Sequence, residues 1–445
     1  MNGRINGLIS GTINGKIDTL GALLNYKAWY GVRIDEANSS PDLTRISGNT
    51  SAMALHASLP VQSLMKGCLL ADNGTVNYYL KSDDWSKKAD GTASNLDGTD
   101  GQVMIEVPTY YRITENPSAG VYDHKISLVS IPGWQKVDKF YIGAYEGAVQ
   151  RSTLKLASVK NTTTDYRGGN NTSAWDALAK TQLGRPATNI SLTNFRTYAR
   201  NRGSNKWNVE IYRNSMLIYE LFIIEYATLN SQKAVNGTLT AQGYKQGGLG
   251  NGVSTANGTE WNNFNAYNPF VPCGYSDTLA NTSGEVNYTA TDFGGTGINK
   301  TFTVPRYRGI EHPFGHIWKW QDGASIFHEA AGGNSKFYTC DTPANFADNT
   351  ASNYDYRSNL PTSSGYVKYV THDEKGVIIS KNSTGGSLTY FCDYFYTPGL
   401  INGWRAVLRG GRADAGSNVG FGYLITYSAA SSTDTHFGAR LIYIP

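Results

Sequence analysis

The run Gly403-Trp404-Arg405-Ala406-Val407-Leu408-Arg409-Gly410-Gly411 decides how this chain is read; a loop-like stretch and a closing Phe437-Gly438-Ala439-Arg440-Leu441 follow it. Upstream, Gly315-His316-Ile317-Trp318-Lys319-Trp320 belongs with it. Trp318, Trp320 and Trp404 read as an aromatic core against which the terminal strands pack. Arg409 and Arg440 read as side chains that pair with fixed carboxylates or carbonyls. Gly410-Gly411, Gly420 and Gly422 point to a bulge or a close backbone crossing; no Gly-Lys-Ser/Thr follows them, so a phosphate loop is not indicated.

Between Arg412 and His436 the alphabet changes, with aromatic and polar residues alternating with Gly, Ala and Ser. From Ala406 to Pro445 there is no Lys, Glu, Gln, Met or Trp. Those five are the residues that a codon ending in a pyrimidine cannot encode.

Together these segments resemble the core signature of the C-type lectin fold, in the branch shared by formylglycine-generating (sulfatase-modifying-factor) enzymes and the variable proteins of diversity-generating retroelements. The C-terminal frame is Gly403–Gly411, Gly416-Ser417-Asn418-Val419-Gly420, Ala429-Ala430-Ser431-Ser432 and Gly438-Ala439-Arg440-Leu441. In that family the positions between are randomised by adenine-directed mutagenesis on a rigid fold, which matches the missing residue types. The resemblance implies exposed ligand contacts at Arg412, Asp414, Phe421, Tyr423, Leu424, Thr426, Tyr427, Thr433, Asp434 and His436, with Tyr394 and Tyr396 as neighbours. Tyr and Phe supply contact area at small entropic cost, and Ser, Thr, Asn and Asp supply adaptable hydrogen bonds.

The fold expected is α+β, a C-type lectin-like domain with long loop insertions over 101–445 and a variable region at about 404–445. A small β-rich module (29–100) and an extended docking segment (1–28) precede it. The docking segment carries the repeat Asn2-Gly3-Arg4-Ile5, Asn6-Gly7-Leu8-Ile9, Ser10-Gly11-Thr12-Ile13, Asn14-Gly15-Lys16-Ile17. A glycine every fourth residue disfavours helix, and extended backbone would place the isoleucines on one face, as a docking strand or a leader. Strands are expected at Val76–Leu80, Gln102–Pro108, Lys139–Glu146, Tyr366–Val370 and Gly376–Ile379. Helices are expected at Ser191–Arg202 and Trp207–Gln232, and inserted loops at 236–299.

The 445 residues are 17% charged and carry 49 Gly and 30 Tyr, a composition that suits short strands, long loops and a binding surface. A net charge of +4 without a dense basic run argues against nucleic acid. Neither a signal peptide nor an apolar run long enough to span a membrane is visible, so no membrane insertion is expected. Cys68, Cys273, Cys340 and Cys392 lack paired zinc spacing and read as buried thiols. His312 and His316 have i, i+4 spacing, but Pro313 and Gly315 lie between them, so they read as structural histidines near a turn. No metal or cofactor is expected. Calcium-dependent sugar motifs of the Glu-Pro-Asn or Trp-Asn-Asp kind are missing.

Residues 406–445 hold no cysteine, whereas the formylglycine-generating enzymes need a cysteine pair there. The chain is therefore expected to be no enzyme. Its expected role is that of a phage tail-fibre receptor-binding protein, a homotrimer carried on the virion and assembled in the host cytoplasm. It would bind a host-cell surface receptor, protein or glycan, and reach other tail or baseplate proteins through its N-terminus. Two alternatives stand beside this: an oxidase of the formylglycine-generating type and a variable lectin displayed on a bacterial surface.

Overall fold

The computed structural model describes residues 27–253, 255–329, 335–399 and 401–445, so the N-terminal repeat lies outside the described residues. Strands and loops dominate, with a few helices, so the architecture is mostly β rather than evenly α+β. No helix among the described residues is long and apolar enough to cross a membrane.

Two sheets carry the frame. The first has seven strands in the order Trp207–Val209, Leu441–Tyr443, Phe140–Gly143, Gln102–Val107, Lys66–Leu70, Val76–Lys81 and Asp84–Lys88. The expected boundary at 100/101 falls inside it: Lys66–Leu70 pairs antiparallel with Gln102–Val107, Cys68 opposite Met104. Residues 29–100 are thus not a separate layer. Both strands are buried almost throughout and share both of their cores, Leu69, Val103 and Ile105 on one face and Cys68, Leu70 and Met104 on the other.

The second sheet has eight strands and is built around Trp318–His328, which pairs antiparallel with Gly403–Arg409, Trp320 opposite Leu408. Its far side runs through Leu424–Ile425, Tyr394–Tyr396 and Gly365–Tyr366, and Phe437–Gly438 pairs with Trp318 and Lys319 in parallel. Trp320 is fully buried, with its indole N–H on the Ile190 carbonyl. Trp404 departs from the expected aromatic core: it is half-buried at the sheet surface, against Phe327 and Tyr338.

The helix expected over Trp207–Gln232 is Tyr212–Tyr226. Trp207–Val209 pairs as a strand with Leu441–Tyr443, because Trp and Val complete a sheet edge there at the expense of a helical turn. The helix stops where Ala227 turns left-handed at φ 49°. It is buried nearly all round, and its acidic residues are buried with partners: Glu220 takes Arg112 at 2.7 Å and His124 at 2.8 Å, and Glu225 takes Arg308 at 2.7 Å. The first expected helix is Leu192–Arg200, capped by the Ser191 hydroxyl, which accepts from the Asn194 N–H. The 236–299 stretch is loop-rich, yet it holds the helix Gly258–Asn265 and the strand Gly284–Ala290, which pairs with Lys300–Tyr307.

Between the sheets sits a buried polar joint. Glu210 Oε1 accepts from Arg409 Nη2 at 2.7 Å and from the Ser215 hydroxyl at 2.8 Å, while Oε2 accepts from Gln321 Nε2 at 3.2 Å. Arg440 donates to the carbonyls of Gly143, Glu311 and His312 at 2.6–2.9 Å. Both arginines therefore do what their positions in the C-terminal frame imply. Removing the carboxylate would strand a buried guanidinium, so Glu210→Ala should lower unfolding free energy by about 3–5 kcal/mol, read from denaturant melts.

Candidate functional site

The expected contacts divide by where the backbone turns them. Phe421 is fully buried and stacks on Tyr219 at 5.4 Å and Phe222 at 5.0 Å, so it is a core residue and not a ligand contact. Leu424 sits in the sheet opposite Phe395 and is likewise buried. Thr426 is buried too: its hydroxyl donates to the Tyr396 carbonyl at 3.1 Å, and its own carbonyl meets His328 Nε2 at 2.6 Å. These three expectations are corrected for two reasons. Leu424 and Thr426 lie in phase on and just after the short strand Leu424–Ile425, which sends alternate side chains inward, and Phe421 sits in the turn before it, where its ring packs on the central helix at Tyr219 and Phe222. Thr433 is exposed but does not line the groove described next, and Tyr394 lies edge-on behind Tyr423 at 5.8 Å.

Seven expected residues do converge. Arg412, Asp414, Tyr423, Tyr427, Asp434, His436 and Tyr396 line one open groove of about 420 Å³. Tyr396 and Tyr427 are its most open rings, 39% and 49% exposed and 6.0 Å apart. Tyr423 is only 6% exposed; it presents an edge of the floor and packs against Trp318 at 4.6 Å. Trp318, Ala415, Asn418, Ile425 and Phe437 complete the lining.

One wall is a chain of charges. Arg412 Nε lies 2.7 Å from Asp414 Oδ1, and its Nη1 is 3.2 Å from His436 Nε2. His436 Nδ1 faces Asp434 Oδ1 at 2.9 Å. Neither the Asp414 nor the His436 contact is aligned as a hydrogen bond. The Asp434 carboxyl resists burial and is held below the usual carboxylate range by His436.

Sequence reasoning missed what props this wall. The inserted helix Gly258–Asn265 and the turn after it lie behind it: the Arg412 guanidinium stands 5.3 Å from the Tyr267 ring centre, and Trp261 and Tyr267 flank His436. A Cβ on Gly258 would come within 2.9 Å of Asp414 Oδ2. Two hydrogen bonds to main-chain carbonyls tie the two together, Ala256 N–H to the Ala413 carbonyl at 3.1 Å and the Thr435 hydroxyl to the Ala266 carbonyl at 2.7 Å. The available signal was Trp261, Phe264 and Tyr267, aromatic residues in an otherwise polar insert, which need something to pack on.

The loop itself is pinned from fixed parts of the chain. Asn189 N–H donates to the Asp434 carbonyl at 2.9 Å, and Gln232 Nε2 donates to the carbonyls of Gly416 and Val419. Gly410 and Gly411 have φ of 91° and 84°, a left-handed pair that turns the strand out of the sheet. Asp393 Oδ2 accepts from Gly422 N–H at 2.9 Å and from the Tyr219 hydroxyl at 3.0 Å. Its carboxyl comes so close to Gly420 that a Cβ there would overlap Oδ1, so the glycine serves a close approach.

Among the described residues one cluster has the ligand types of a metal site: Glu146, His312 and His316, all buried, with ligand atoms within 4.8 Å of one another. Two of its members are committed to protein partners, whereas both His312 ring nitrogens are buried without a hydrogen bond. Glu146 takes His316 Nδ1 at 2.6 Å and Lys319 Nζ at 2.9 Å, and His316 Nε2 accepts the N–H groups of Phe270 and Val271 at 3.1 and 3.2 Å. Burial would raise the Glu146 carboxyl, but Lys319 and His316 hold it well below its ordinary value. An ammonium thus already fills the role of the cation. His312 and His316 have φ of 45° and 59°, so they share no helical turn. The four cysteines are buried and unpaired, and none lines the groove.

No protein-family model matches the chain, and no curated protein matches it. Among solved structures it is similar to PvdO from Pseudomonas aeruginosa, at 10% identity over 79% of this chain and 97% of that one, with a TM-score of 0.30. It is also similar to the U1 variant of Major Tropism Determinant, at 14% identity over 85% of this chain and 71% of that one, TM-score 0.28. The P3c variant gives 14% identity over 94% and 72%, TM-score 0.27. Likeness of this degree leaves the groove to be read from its own residues.

Two measurements check the placement. Phe421→Ala should cost about 3–5 kcal/mol of unfolding free energy, as a ring removed from a packed core does. Burial raises the Asp393 carboxyl to about 7, only partly offset by the Gly422 N–H and Tyr219 hydroxyl bonds. A carboxyl raised on folding stabilises the fold while protonated, and that contribution is lost as pH rises from about 4 through about 7. Wild-type unfolding free energy should therefore fall between pH 5 and pH 8, and Asp393→Asn should flatten that fall.

Proposed function

We propose that this chain is a receptor-binding protein of a phage or prophage tail fibre, in which a C-type lectin-like domain displays a retroelement-diversified groove to the host surface. One observation carries the reading. The segment that lacks Lys, Glu, Gln, Met and Trp is the segment that supplies most of the groove lining, while Val407, Leu408, Arg409, Ala439, Arg440 and Leu441 of its frame turn inward. Open tyrosines beside short polar side chains form an adaptable contact surface. In this reading the groove does no chemistry and takes no cofactor. The chain acts as a homotrimer on the virion, several weak contacts add through multivalency, and the N-terminal repeat joins tail or baseplate proteins.

Tyr396 and Tyr427 are the residues to test, because both are open and neither supports the core. The double variant Tyr396→Ala/Tyr427→Ala should lower adsorption of particles to their host by about tenfold or more, as loss of interface tyrosines does, with the thermal midpoint nearly unchanged. Unaltered adsorption rejects the site. In sibling clones, substitutions should concentrate at positions 412, 414, 423, 427, 434 and 436 and spare Gly403–Gly411 and Gly438–Leu441. Sequencing the gene beside its near-copy template reads that directly.

A further inference from the structure

The charges along the groove do not cancel. Arg412 is spent within the wall, on Asp414 at 2.7 Å and His436 at 3.2 Å, with Tyr267 behind it. With histidine counted neutral, the two carboxylates of the lining, Asp414 and Asp434, exceed its one arginine by one negative charge. Asp434 touches His436 on one side and keeps a side chain 45% exposed. The chain as a whole is +4, which makes this a local feature and not a reflection of the overall field.

In the same lining stand two open rings, Tyr396 and Tyr427, while Trp318 and Tyr423 are nearly buried beneath them. Aromatic faces are electrostatically negative and attract an ammonium or guanidinium, most strongly where water is partly excluded. A half-exposed carboxylate in a lining with two open rings favours a cation with an alkyl stem over an anion, because the one arginine of the lining is engaged by Asp414 and His436. We infer that the groove recognises a cationic side chain, lysine or arginine, on a protein at the host surface. The inference rests on the groove being the receptor site and adds the chemistry of its occupant.

The test uses the full chain and four blocked amino acids, the N-acetyl methylamides of lysine, arginine, norleucine and glutamate, with a methyl hexoside as the glycan probe. Affinities are read by calorimetry or ligand-observed NMR. The lysine and arginine probes should bind roughly 3- to 30-fold tighter than norleucine, the range expected from exposed to partly desolvated cation–π contacts. Asp434→Asn should reduce that preference severalfold with only a small change in the thermal midpoint, and Tyr396→Ala/Tyr427→Ala should weaken the binding itself. The inference is overturned if norleucine binds as well as lysine, if glutamate or the hexoside binds more tightly, if no probe binds, or if the Asn variant keeps the preference. Loss of adsorption in the tyrosine variant without any cation preference would leave the receptor site standing and remove only this inference. A cation preference with unaltered adsorption would do the reverse.

Discussion

The buried meeting of Arg409 with Glu210 is the interaction on which the rest of the molecule depends. Arg409 closes the strand that leads into the groove, and Glu210 follows the strand that edges the other sheet, just ahead of the central helix. Desolvation opposes a carboxylate there, and the nearby Arg409 and Arg440 overcome it, keeping the group ionised. A charge pair removed from water tolerates no loss of geometry, since either partner alone is strongly unfavourable. The two sheets and the helix are thereby held in one relation. Glu146 with Lys319 and His316 repeats the device nearer the groove.

That arrangement explains how the groove wall can be built of loop. Its backbone is gripped at several points by groups outside the segment, the Asn189 amide, Gln232 and Asp393 among them. Hydrogen bonds to main-chain atoms do not depend on which side chain the residue carries. A position such as Tyr427 or Asp434 can then change identity while the path of the chain stays fixed, and the glycines at 410, 411 and 420 keep the turns available.

Much of this was legible in the residues, and the failures have physical causes. Arg409 and Arg440 could be read as internal pairing groups, because a terminal strand framed by glycine and tryptophan has nowhere else to send a guanidinium. Gln102–Val107 and the helix beginning at Ser191 followed from local pattern. Leu424 and Thr426 could not be separated from Tyr423 and Tyr427, because inward and outward residues differ by strand phase, and the two-residue strand Leu424–Ile425 is too short to show a period; Phe421 lies in a turn, and its burial depends on a helix remote in sequence. Trp207–Val209 was misread because its strand character comes from a partner more than 200 residues away, Leu441–Tyr443. The joining of residues 29–100 to the main sheet was hidden for the same reason, since long-range pairing leaves no mark on local composition. Glu146 was missed because a lone glutamate announces nothing until folding brings Lys319 to it.

Trp318 stands on the long strand Trp318–His328, outside the segment 406–445 that lacks Lys, Glu, Gln, Met and Trp, and its buried indole supports the groove beneath Tyr423. On the proposed reading, every version of the protein that diversification produced would inherit the same indole in the same place. Such a set of proteins would be a family of rims raised on one fixed aromatic support, and the depth of the groove under that rim would stay constant while its edge changed.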